Sequence, residues 1–239
     1  MKRIMLTAMG ALVSTTMVFA QDKDNDSDKP KIIGSGKLVT KDIPVQNFGA
    51  IEASGVFSLV LSQGGKEGVK IEADDNLQEL FEVKTDGGTL KIGMKKNTNF
   101  DTDNKLKVYV TFNKLKNLEL KMVGGTSNES QLNFDDLNIT NKSVGSVKLN
   151  MSAKKLHIDN KSVGNVNLSG KADNVTIVNK SVGSISAADF VVQNLDIENT
   201  GVGSAEVNVE KECKVKDSFL GKVKNKGAAT VKKTGRTSD

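Results

Sequence analysis

The sequence predicts an all-β chain, wound as a right-handed parallel β-helix (a solenoid) behind a strand-rich N-terminal portion. Three observations predict it. Glycine recurs at Gly124, Gly145, Gly164, Gly183, Gly203 and Gly221, with gaps of 21, 19, 19, 20 and 18 residues. One five-residue string returns at Asn141–Gly145, Asn160–Gly164 and Asn179–Gly183, and Asn199–Gly203 keeps its Asn, Val and Gly. Pairs of apolar residues two apart follow the same rhythm, with no helix-period segment between them. A period near 20 residues marks an array whose units bury their apolar faces only against neighbours.

Residues 1–20 read as a secretory signal peptide. Met1 to Arg3 is a short basic start, Ile4 to Phe19 is mostly apolar and uncharged, and Val18 to Ala20 ends in small residues. Cleavage near Ala20 and export to the periplasm, cell surface or medium are expected. The apolar run is short for a bilayer crossing, and nothing downstream approaches the roughly 20 apolar residues a spanning helix needs. No transmembrane segment is therefore expected in the mature chain. Cys213 is the one cysteine, so neither a lipid-carrying cysteine behind the leader nor an internal disulfide is expected.

Residues 21–33 read as a charged linker. Its acids from Asp22 to Asp28 resemble a calcium loop, but Ser27 stands where the turn needs glycine and Ile33 where a glutamate closes the site. A solvated spacer fits better, and no metal site is expected.

Residues 34–114 show strand alternation without an obvious repeat. Val56 to Leu61, Val69 to Glu72, Leu90 to Met94 and Leu106 to Phe112 each read as half-buried strands. Gln63 to Gly65 and Asp86 to Gly88 read as turns. Asp74 to Phe81 allows one helical turn capped by Asp74 or Asp75.

Residues 115–230 carry the repeats, and 231–239 read as a tail. The apolar pairs align as Leu118/Leu120, Leu137/Ile139, Leu156/Ile158, Val175/Ile177, Leu195/Ile197 and Cys213/Val215. A second alternation follows each glycine, as in Val147/Leu149 and Val166/Leu168, so each unit is expected to hold two short strands and two turns. Stacked in register about 4.8 Å apart, like residues form columns. The turn glycines imply positive φ or close backbone approach. Asn141, Asn160, Asn179 and Asn199 are expected to form a side-chain amide ladder. Handedness follows the rule for parallel crossovers.

These repeats, the basic-start precursor, and the stretches Gly55–Gly64 and Val69–Leu77 together resemble the head GIN domain family of putative auto-transporter adhesins, from about Val45 onward. The resemblance implies a pectin-lyase-like β super-helix with tight Gly-Ser-Gly-type turns, in exported proteins of Bacteroidetes-type bacteria. It also implies adhesion or surface interaction without catalytic residues. Here the turns read Asn-Lys-Ser-Val-Gly instead, and no C-terminal sorting module is evident.

The residues themselves offer little chemistry. His157, the only histidine, lies between inward Leu156 and Ile158 and is expected to face solvent. Cys213 shares an apolar column and reads as a buried small hydrophobe. β-Helices also host polysaccharide lyases and hydrolases, so Asp101/Asp103 and Asp135/Asp136 are the carboxylates to weigh, and turn formation is the commoner role for such pairs. The one arginine beyond the leader, Arg236, stands in the tail, which leaves a lyase base unsupplied. No catalytic residue and no cofactor are expected. Lys142, Lys161 and Lys180 recur in successive units and could form a basic ridge for acidic glycans or a cell-surface component, or simply blunt an exposed edge. Ser143, Ser162 and Ser181 would bond within the turns or touch sugar. With Tyr109 alone among tyrosines and no tryptophan, an aromatic sugar platform is absent. The formal net charge of +5 includes Lys2 and Arg3 and is spread without blocks, so no nucleic-acid partner is expected.

Overall fold

The chain begins its fold with an antiparallel end piece and then coils away from it. The computed structural model describes residues 30–218 and 220–236; the signal-peptide and calcium-loop readings lie outside the described residues. From Lys31 onward the chain forms one compact unit around one continuous core.

The end piece comprises β2 (Leu38–Ile43), β5 (Gly68–Asp74) and β6 (Phe81–Asp86), all paired antiparallel. A six-residue 3₁₀ helix, Asp75–Leu80, lies between β5 and β6 and buries Leu77 and Leu80. Apolar side chains thus cover a coil end that would otherwise meet water. The expected cap is missing here: Asp74 makes no capping bond. Its carboxylate instead accepts from Thr102 Oγ1 at 2.6 Å and from the Asn104 side-chain amide. Asp75 accepts from Ser35 Oγ at 2.6 Å. Ile32–Ile33, read as linker, forms β1 alongside β8 (Phe100–Asp101), because two β-branched residues find a strand partner there.

The parallel stack does not follow chain order at its start. One rung is β3 (Ala50–Gly55) with β4 (Ser58–Gln63). On one side of it lies the rung β7 (Thr89–Met94) with β9 (Lys107–Phe112), and on the other β10 (Asn117–Met122) with β11 (Thr126–Asn128). After β2 the chain lays down a middle rung, completes the end piece with β5 and β6, forms the rung beside it, and then steps over. The strands after residue 115 accordingly pair directly with strands before it, β10 with β3 and β11 with β4. The expected strand at Val56 begins only at Ser58, since Val56 and Phe57 form the bend between β3 and β4.

From β12 (Leu132–Asn141) the coil follows the sequence through β13 (Val147–Asn160), β14 (Val166–Asn179), β15 (Ile185–Asn199) and β16 (Ala205–Asp217). It ends with β17 (Val223–Asn225) and β18 (Val231–Arg236), both beside β16. The residues read as a tail begin with β18, where Val231 lies against Cys213. Each unit holds one strand of 13–15 residues in β13 to β16 rather than two strands and two turns. Ladder bonds continue through the second bend, so no turn interrupts them. The bend is visible as two successive outward residues, Lys154 and Lys155 in β13, where alternation changes phase.

Columns fill the coil. Leu137, Leu156, Val175, Leu195 and Cys213 superpose rung by rung, as do Ile139, Ile158, Ile177, Ile197 and Val215, all buried. Fully burying one such aliphatic side chain contributes roughly 1.5–3 kcal/mol. The first alignment differs from the expected one. Leu118 lies beside Ile139 and Leu120 beside Asn141, two residues further on than the apolar pairs suggested. Both alignments keep the same face inward, because a strand repeats every two residues.

The repeating glycines owe their identity to close approach. Positive φ is found elsewhere, as at Gly170, but at none of the six. A Cβ on Gly164 would land on the Gly145 carbonyl and 2.7 Å from the Val144 oxygen. The same collision repeats at Gly145, Gly183 and Gly203, and Gly124 would strike the Phe57 carbonyl. Gly221 faces the Gly201 oxygen instead.

Candidate functional site

The repeated turn is built by alternation. Starting at Asn141, side chains point in, out, in and out, which places Asn and Ser inside and Lys and Val outside. Backbone ladder bonds hold each turn to the last: Lys161 N donates to Asn141 O at 2.8 Å, and Val163 N to Ser143 O at 3.1 Å.

Inside, the asparagines form a chain of amides. Asn141 Nδ2 donates to Asn160 Oδ1 at 2.9 Å, Asn160 to Asn179 at 2.7 Å, and Asn179 to Asn199 at 2.6 Å. Asn199 closes the series on the carbonyls of Gly203 and Gly221. Leu120 precedes the series, and Asp217 follows it, bonded to Lys233. All four amides are buried, so each bond replaces water that cannot reach them. Ser143, Ser162 and Ser181 are buried too, which rules out sugar contact by those hydroxyls. Ser162 and Ser181 donate to Gly164 O and Gly183 O across their own turns, while Ser143 accepts from Met122 N.

Outside, Lys142, Lys161 and Lys180 form an exposed column. It is partly neutralised. Lys142 Nζ lies 3.9 Å from Glu119, which Lys121 also holds at 2.6 Å, and Lys161 Nζ lies 2.9 Å from Asp159. Lys180 has no carboxylate partner among the described residues. The same alternation turns Val144, Val163, Val182 and Val202 outward. Alternation from Asn141 gives that row directly, and valine carries no reactive group that would have marked it in the sequence.

The second corner is a charge column. Asp135, Lys154 and Asp173 line a shallow groove there, and Lys154 Nζ lies 2.6 Å from Asp135. Asp136 stands in register with Lys155. Lys154 holds the Asp135 carboxyl below the usual carboxylate range, by hydrogen bond and then by charge. Lys31 does the same to Asp101. Both carboxyls are thus pushed away from the protonated state a glycosidic general acid needs at neutral pH.

His157 is exposed between Asn138 and Thr176. Cys213 is buried and unpaired, and desolvation pushes its thiol up, opposite to the shift of a nucleophile. Among the described residues, no three His, Cys, Asp or Glu side chains converge as a metal site, and no helix is long and apolar enough to cross a membrane. A cleft of about 970 Å³ opens beside β2, β5 and β9, lined in part by Asp42, Lys66, Lys70, Glu72 and Tyr109. Glu72 there is held by Lys107 at 2.8 Å.

A profile of the family described as putative auto-transporter adhesin, head GIN domain, matches residues 47–229. Among solved structures, a putative adhesin from Bacteroides fragilis is 28% identical, with a TM-score of 0.73 over 84% of this chain and 99% of that one. Putative adhesins from Parabacteroides distasonis and Parabacteroides merdae share the fold at TM-scores of 0.63 and 0.62, each 22% identical. They cover 87% and 85% of this chain, and 98% and 95% of their own. None of the curated proteins matches the chain.

Proposed function

The chain belongs to the family described as putative auto-transporter adhesin, head GIN domain, and from that premise we propose an exported, non-catalytic interaction protein of the cell surface or periplasm. Adhesion to a cell-surface component, with acidic glycans as the chemical class, runs along the outward columns of the solenoid. One observation carries this reading: identical outward side chains are repeated one rung apart by a rigid ladder, as in Lys142, Lys161 and Lys180. A row spaced at about 4.8 Å suits an extended or polymeric partner better than a small molecule. The pairing of Asp135 and Asp101 with lysine supports a binding role over hydrolysis.

The test is a glycan array and a cell-binding assay on the wild type and on a variant with Lys142, Lys161 and Lys180 replaced by Ser. We expect binding of acidic glycans that drops by roughly tenfold in the variant, as loss of three charges next to an anionic polymer implies. Equal binding by both proteins would discard the lysine row. A wild type that holds neither glycan nor cell would end the adhesion reading.

A further inference from the structure

Each turn of the solenoid places one large aliphatic side chain in water. Val56, Val123, Val144, Val163, Val182 and Val202 occupy the same place in successive bends, and Leu220 is exposed in the bend after them. All seven are between 48% and 62% exposed, in a molecule whose other valines, leucines and isoleucines are mostly buried. At about 4.8 Å per rung the six valines extend over about 24 Å. Branching at the β carbon does not explain it, because threonine is branched there too and would offer water a hydroxyl. Valine is chosen in six bends of seven. A contiguous apolar row of this length on an otherwise polar surface marks a contact.

Its flanks name the partner. Two residues before four of these valines stand Lys121, Lys142, Lys161 and Lys180, and two residues after Leu220 stands Lys222. Serine, threonine, asparagine and glycine fill the other flanking places, and no carboxylate does. The acids that pair with Lys121, Lys142 and Lys161 lie one column further from the row. The row also stands on the outside of a bend, so it is a convex ridge with a cationic shoulder along one side. A second copy would bring the same convex ridge and offer it no groove. A phospholipid bilayer with acidic headgroups fits both layers, since the aliphatic tips can pass between headgroups while lysine stems keep their ammonium groups at the phosphates.

We propose that this valine ridge docks the protein lengthwise on an anionic phospholipid bilayer surface. The inference deepens the reading that the outward columns are the working surface, and rests on it. Ladder bonds at Val123, Val144, Val163, Val182 and Val202 fix the ridge before contact, so docking orders no segment and costs little conformational entropy.

The test is co-sedimentation of the processed chain, beginning at Gln21, with vesicles. One set mixes phosphatidylglycerol with phosphatidylcholine, and the other is phosphatidylcholine alone. The variant replaces Val144, Val163, Val182 and Val202 by Ser, all exposed positions, and a thermal melt checks that it keeps the fold. The expected result is binding to the anionic vesicles that falls roughly tenfold in the variant and on neutral vesicles. Equal binding by wild type and variant overturns the proposal, and so does a wild type that stays in the supernatant. A concentration-dependent dimer that the variant loses also overturns it, since a second copy would then cover the ridge. The cell-binding assay on the same two proteins separates the claims: cells held without vesicle binding remove the ridge alone.

Discussion

Asn160 sits where no water reaches, accepting from Asn141 and donating to Asn179. Replacing it by Ala strands the Asn141 amide, whereas Asn179 Oδ1 keeps the Ser181 hydroxyl at 2.8 Å. A stranded buried donor costs about 1–3 kcal/mol, so Asn160→Ala should lower the urea midpoint by that much stability. Asn138 makes a similar amide contact with Asn117 at 3.2 Å, but in water. Asn138→Ala should therefore stay within about 0.5 kcal/mol of the wild type, and equal losses at both sites would contradict the role given to burial. Asp74 makes a pH-dependent contribution. The Thr102 hydroxyl first, and the Asn104 amide next, hold its carboxyl below its ordinary value of 3.8. A carboxyl lowered by folding stabilises fully above its unfolded value, and the contribution fades as pH falls through the folded one. Asp74→Asn should be less stable than the wild type at neutral pH, with the gap closing in melts taken below pH 3.8. A gap independent of pH would mean the loss comes from packing.

Lys154 joins one rung to the next by charge rather than by burial. It stands between Asp135 and Asp173 with its ammonium raised above its ordinary range, chiefly by the Asp135 hydrogen bond. Lys154→Glu would stack three carboxylates. The side chains of Lys154 and Asp135 are 73% and 83% exposed, so water screens the pair and the loss should be small. It should shrink in high salt, and melts at two ionic strengths would detect that. At this scale the sequence was most legible where residues from adjacent rungs must touch. Gly145, Gly164 and Gly183 repeat because a Cβ would strike the carbonyl of the preceding rung, and the buried amides repeat because each satisfies the next. Legibility failed where alternation alone had to set register. Leu118 could meet Leu137 or Ile139 without changing face, and only the 21-residue glycine gap distinguishes them. The rung of β3 and β4 was hidden for another reason: its spatial neighbours, β7, β9, β10 and β11, do not return at a constant chain spacing. The aliphatic row at Val144 and Val163 was legible by counting, yet a search for catalytic residue types does not look at valine.

From Lys31 onward the molecule is a stack with unlike ends, and that asymmetry makes a further prediction. Near the N-terminal end, antiparallel β5 and β6 and the apolar face of the 3₁₀ helix cover the column. Near the C-terminal end, β17 and β18 each pair only with β16 among the described residues, and charged side chains such as Lys232 and Lys233 mark that edge. Such charges discourage pairing with another chain, but an outer rung with one neighbour is the first to open in a repeat stack. Cys213 reports on that opening without any engineered probe. Its side chain is buried with Val231 as its rung neighbour, and burial pushes its thiol up. In the intact chain, modification by a thiol reagent must wait for β18 to lift away. Removing residues 231–239 takes away that neighbour while leaving Leu195, on the other side of Cys213, in place. The truncated protein should therefore react with a disulfide reagent at least roughly tenfold faster under native conditions, since thiol rates follow access and thiolate fraction. Its far-ultraviolet circular dichroism should still report a β-rich fold. If truncation left the rate unchanged while the fold persisted, β18 would not be the lid of the column, and the opening that exposes Cys213 would have to begin within the long rungs.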